Sequence, residues 1–191
     1  MSLSAQSWRI LLAALLWLAI ALGIGAAGLL QRLAPLPQLI LVALTAGLVY
    51  AGAALPAFRW WALQLDLRAL VALHLTRFVG IYFLALFRRG ELPFAFAVPG
   101  GWGDILVAAL ALLLLLIGPP RGRGRRLIYT TWNVIGLAEL LFVVVTAARL
   151  GLADPDSMRA LTRLPLSLLP TFLVPLLIAS HLLIGVRLAR G

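Results

Sequence analysis

Long apolar runs separated by short clusters of proline, glycine and arginine dominate the pattern of this 191-residue chain. A helix needs about 20 mostly apolar residues to cross the hydrocarbon core of a bilayer. Six stretches meet that length or come close: about 10–30, 36–55, 69–87, 102–117, 127–148 and 166–188. The fold class this predicts is all-α, a polytopic membrane helix bundle of six transmembrane helices forming one domain over 1–191. Trp8, Arg9 and the run behind them share features with a signal peptide, but the run is long and further spans follow.

Two connections carry patterns of their own. FAFAVPGGWG, ahead of the fourth span, looks too interrupted for a regular helix, because Pro99 removes a backbone donor and three glycines loosen the chain. We expect a broken or re-entrant segment there, over 93–103. Between the fifth and sixth spans, DPDS can cap a short helix carrying Met158, Leu161 and Leu164, expected to lie in the membrane interface. Pro170 and Pro175 predict kinks in the sixth span.

Composition sharpens this picture. Charged residues are 12% of the chain, about half the share usual in soluble domains. The net charge of +10 is scattered over the ends of apolar runs and forms no face of the kind that binds nucleic acid. All sixteen basic residues are arginine, which fits a GC-rich coding bias. With no cysteine, disulfides, thiolate sites and iron–sulfur clusters are excluded. For six spans with both ends inside, nine arginines fall on the cytoplasmic side and six on the other, leaving Arg77 within the membrane. The tightest cluster, Arg121, Arg123, Arg125 and Arg126, then lies inside, as the positive-inside rule expects. The reading is a protein of the bacterial cytoplasmic (inner) membrane with cytoplasmic N and C termini. That cluster is an orientation signal and a place for anionic lipid head groups.

Candidate chemistry sits inside the spans. Ionisable side chains within a membrane are costly and usually face the bundle interior with a partner. Here they are His74, Arg77, Asp104, Glu139 and His181, joined by the polar Asn133. Helical rise places His74, His181 and Asn133 in one layer, roughly 4–6 Å from a second layer holding Arg77 and Glu139. Three readings follow. His74 and His181 on facing helices have the residue types for axial ligation of a b-type haem and electron transfer. Arg77, Asp104, Asn133 and Glu139 have those for the pathway of a small-solute or proton-coupled transporter, a small one unless it forms a homo-oligomer. The cluster also has the means simply to fix helix packing in a structural or accessory protein. A metal held by His74, His181 and a carboxylate has no sequence spacing behind it. Catalysis has none either: HExxH, GxSxG and a serine–lysine pair on one face are absent.

Overall fold

A computed structural model describes residues 5–32 and 35–190. Its helices are α1 (Ala5–Ala26), α2 (Leu29–Arg32), α3 (Leu36–Ala54), α4 (Pro56–Gln64), α5 (Leu67–Leu73), α6 (Gly80–Arg88), α7 (Phe94–Ile117), α8 (Arg123–Ala153) and α9 (Val174–Arg190). Short 3-10 stretches cover His74–Val79 and Pro155–Thr162, and a π turn covers Leu169–Leu173. No strand occurs among the described residues.

Among the described residues six helical runs are long and apolar enough to cross a membrane: Trp8–Ala26, Leu36–Ala54, Leu67–Arg88, Phe94–Ile117, Arg123–Ala153 and Leu169–Arg190. Large apolar side chains such as Leu16, Val42, Leu116 and Phe142 stand exposed on their outer faces. An apolar surface of that extent is untenable in water, and it suggests a membrane location.

The stretch expected to be broken is continuous helix. α7 runs unbroken from Phe94 through Pro99 to Ile117. Pro93 starts it in extended conformation, and Pro99 forfeits only its own hydrogen bond to the carbonyl of Ala95. Where no water reaches the backbone, helix is the local way to satisfy every other donor, and this overrides glycine's weak propensity. The glycines serve packing. Gly100 and Gly103 face α8, where a Cβ on Gly100 would lie 3.2 Å from Val143. Gly101 faces α6, where a Cβ would lie 2.9 Å from the carbonyl oxygen of Gly80. One glycine-rich turn therefore lets two helices approach α7 closely from different sides.

The sixth span begins later than expected. Pro175 has no N–H for the carbonyl of Thr171, four residues earlier. Trp17 Nε1 of α1 donates to that carbonyl instead, at 2.7 Å, and its ring packs edge-on against Phe172. The DPDS segment forms a 3-10 stretch, with the Asp154 side chain accepting from the Asp156 N–H at 3.2 Å. Met158 is buried there and Leu161 half-buried, packed with Phe83, Leu86 and Phe96, whereas Leu164 is exposed.

Arginines stitch one end of the bundle together. Arg126 Nε donates to the carbonyl of Leu188 at 2.7 Å, Arg187 to that of Leu65, and Arg68 to that of Leu115 at 3.4 Å. These are carbonyls at or near helix C-termini, which have no intrahelical partner. Arg126, expected to face lipid head groups, is thus committed to the protein. Gly118 (φ 84°) and Gly122 (φ 83°) bracket the turn from α7 to α8 in a conformation other residues rarely adopt.

Candidate functional site

His74 and Arg77 lie in the 3-10 stretch between α5 and α6, midway along Leu67–Arg88. A 3-10 helix has three residues per turn, so these two side chains eclipse one another about 6 Å apart along the axis. On an ordinary α-helix residues three apart are neighbours on one face; the tighter winding stacks them and separates two polar layers.

Arg77 fills one layer. It is 1% exposed, and its Nε donates to Asp104 Oδ1 at 2.6 Å. Nη1 donates to the carbonyl of Gly136 at 2.8 Å, and Nη2 pairs with Glu139. Either carboxylate would suffice as the partner expected from sequence; the structure brings in both. Glycines make this geometry possible. Gly80 sits against Asp104, a Cβ there falling 3.0 Å from the aspartate Cβ, and Gly103 sits against the Glu139 side chain, a Cβ there falling 2.8 Å from its Cγ. With both carboxylates ionised the triad carries a net charge of −1, and one proton makes it neutral.

The other layer holds His74, His181, Asn133 and Ser180. The backbone carbonyls fix its proton positions, because they can only accept. Ser180 Oγ donates to the carbonyl of Leu177 at 2.8 Å, so His74 Nε2 donates to Ser180 Oγ, 3.0 Å away. Asn133 Nδ2 donates to the carbonyl of His181 at 3.1 Å, so Asn133 Oδ1 accepts from His181 Nδ1 at 2.9 Å. Each ring keeps one bare nitrogen, His74 Nδ1 and His181 Nε2, buried without a hydrogen-bond partner. The ring centroids are 4.1 Å apart, with Trp132 edge-on to His74 at 5.0 Å.

This arrangement does not fit the expected haem. A bis-imidazole site needs the two Nε2 atoms facing each other across a porphyrin. Here the rings touch directly, and His74 Nε2 is engaged by Ser180. Nor is any group of three or more metal-binding side chains found among the described residues. Ser180, which neighbours His181 in sequence but turns toward His74, is the member of this layer not among the six residues read from sequence. A serine one residue from an intramembrane histidine signals a partner on a different helix, since adjacent helical residues diverge.

The profile of a family described as Domain of unknown function (DUF8737) matches residues 34–189. The chain belongs to that family. No curated protein and no solved structure matches it. The DUF8737 region contains both polar layers and five of the six long apolar runs, leaving α1 outside.

In this DUF8737 protein a cavity of about 210 Å³ reaches the triad. Arg77 and Asp104 form its inner end, and Leu41, Leu140 and Leu177 stand among its walls. Gln31, Asp156 and Arg159 belong to its other end. The Asp156 and Arg159 side chains are 81% and 58% exposed there, so the cavity leads out at the end of the bundle where α2 meets Pro155–Thr162. Gln38 lies along the way, with Oε1 buried and unpartnered. Beyond the triad the path is closed. The histidine layer comes next, then a core of Val71, Val107, Leu114, Tyr129, Trp132 and Leu188, and finally the arginine-stitched end. Glu139 is not among the cavity-lining residues; it lies on the α8 side of α7, against Gly103.

Proposed function

We propose that this chain is a small proton-coupled solute transporter of the bacterial inner membrane, with Arg77, Asp104 and Glu139 as its exchange site. One observation carries the reading: two carboxylates share one guanidinium midway along the apolar helices, at the floor of a cavity reaching a single end of the bundle. A buried triad of net charge −1 calls for a proton or a cation, and the cavity is its access route. Ionisable side chains within apolar spans are costly to bury and mark ion and solute pathways and proton relays. The surplus carboxylate also bears on the solute, since an anion would meet a cluster that is already negative.

Chemically, a proton reaching Asp104 through the cavity weakens the Asp104–Arg77 bond, while Glu139 and the Gly136 carbonyl still hold the guanidinium. Asp104 lines the cavity and Glu139 does not, so a proton leaving by way of Glu139 departs from outside the cavity. With both termini cytoplasmic, the orientation the arginine count favours, the cavity mouth faces the periplasm. Asn133 and the histidine layer then form the cytoplasmic plug, and Arg121, Arg123 and Arg125 meet anionic head groups.

Infrared difference spectroscopy of the protein in nanodiscs tests the reading. Acidification should produce a carboxylic acid carbonyl band, and that band should shift or vanish in Asp104→Asn or Glu139→Gln. A band unaffected by both substitutions, or no band at any pH at which the protein stays folded, removes the triad as a proton site. In proteoliposomes the account further predicts that wild-type protein speeds the decay of an imposed pH gradient in the presence of a transported solute, and that Asp104→Asn does not.

A further inference from the structure

The cavity has the chemistry of a ligand site as well as of an access route. Its walls are largely apolar, with Leu41, Phe83, Phe96, Leu140 and Leu177 contributing, and its inner end carries the 4%-exposed Asp104 beside Arg77, whose charge Asp104 and Glu139 together exceed. Nearer the mouth, Gln38 Oε1 is a buried acceptor without a donor, a state that costs free energy until a donor arrives. These two buried acceptors along a largely apolar passage, ending at a cluster of net negative charge, call for a ligand that brings N–H donors and positive charge on an apolar body. A volume of about 210 Å³ lies below the ~300–1,000 Å³ typical of pockets for drug-sized molecules, so the ligand is small.

We infer that the cavity binds a small amphipathic amine, its ammonium group at Asp104 and its hydrocarbon or aryl body against the leucine and phenylalanine walls. Gln38 Oε1 is the first acceptor the ammonium meets on entering. The inference rests on the triad being an exchange site, because an arriving ammonium and an arriving proton both neutralise the same surplus charge and therefore compete. The transported solute, on this view, is an organic cation exchanged for a proton.

Three probes of one shape separate the possibilities: phenethylamine, 2-phenylethanol and phenylacetate, added to the protein in nanodiscs while its thermal midpoint is followed. The amine should raise the midpoint by several degrees, the alcohol by much less, and the carboxylate not at all. Asp104→Asn should bring the amine down to the level of the alcohol. Val42→Trp, a change at an exposed position on the cavity wall, fills space without touching the triad and should weaken amine binding by roughly tenfold or more, about 1.4 kcal/mol. Equal responses to amine and carboxylate, an amine response retained in Asp104→Asn, or no response to any probe overturns the inference. The infrared experiment reports separately: a triad band without amine binding leaves the proton site standing, and amine binding without the band leaves a cation site that exchanges no proton.

Discussion

Replacing the two carboxylates by their amides, singly and together, interrogates the triad without changing its shape. In Glu139→Gln, Arg77 keeps Asp104 at 2.6 Å and the Gly136 carbonyl at 2.8 Å. In Asp104→Asn it keeps Glu139 and the same carbonyl. Each single change weakens one charge-assisted bond, because the amide oxygen still accepts, and moves the cluster from −1 to neutral. The expected cost is about 1 kcal/mol each. The double variant leaves a guanidinium that is 1% exposed with no counter-charge, and stranding a buried charge costs about 3–5 kcal/mol. The double variant should therefore exceed the sum of the singles by roughly 1–3 kcal/mol, a coupling of the size seen between groups in one network. Reversible unfolding in mixed micelles, followed by tryptophan fluorescence, measures all four corners of the cycle. Additive costs would refute the reasoning, because they would mean that Arg77 does not share itself between the two carboxylates.

Gly103→Ala and Gly80→Ala should behave differently although both add one methyl to a helix contact. The new Cβ at Gly103 meets the flexible end of Glu139, so stability should fall only slightly while the infrared signature of the triad changes. At Gly80 it meets the backbone of Gly101 and the Asp104 Cβ, so α6 and α7 must separate, at a cost of about 1–3 kcal/mol in the same unfolding assay. Asn133→Leu strands His181 Nδ1–H and Ser180→Ala strands His74 Nε2–H; each should cost about 1–3 kcal/mol, and unchanged stability in both would show that these bonds do not form. Incubation of the wild-type protein with haem should give no Soret band that depends on both His74 and His181, and the appearance of one would reopen the bis-imidazole reading.

Much of the fold is legible in the sequence because apolar length alone decides what can span a bilayer. Leu36–Ala54 and Leu67–Arg88 lie within two residues of the runs read from the chain. VPGGWGD was not legible. Proline and glycine signal a break only where water can satisfy the freed backbone, and here the same residues are a packing surface on α7. The 3-10 stretch at His74–Val79 was also out of reach, since nothing in HLTRFV departs from an ordinary helix pattern. Which polar residues gather inside the bundle was readable because they are rare in these runs: His74, Arg77, Asp104, Asn133, Glu139 and His181 all lie within the two layers. Their pairing was not. Whether two histidines flank a cofactor or touch each other depends on helix rotation, which hydropathy does not encode. Ser180 is small and Gln38 uncharged, and neither pattern nor spacing sets them apart, so only their geometry distinguishes them.

Because the chain contains no cysteine, single cysteines report on access without background. Thr76→Cys lines the cavity near Arg77, and Ala111→Cys lies in the core beyond the histidine layer. In oriented membranes, a small water-soluble thiol reagent should modify Thr76→Cys from the side bearing Pro155–Thr162 and from that side alone, more slowly in the presence of phenethylamine, while leaving Ala111→Cys untouched. Modification of Thr76→Cys from the arginine-stitched side, or none from either side, would contradict a buried triad open to one face of the membrane.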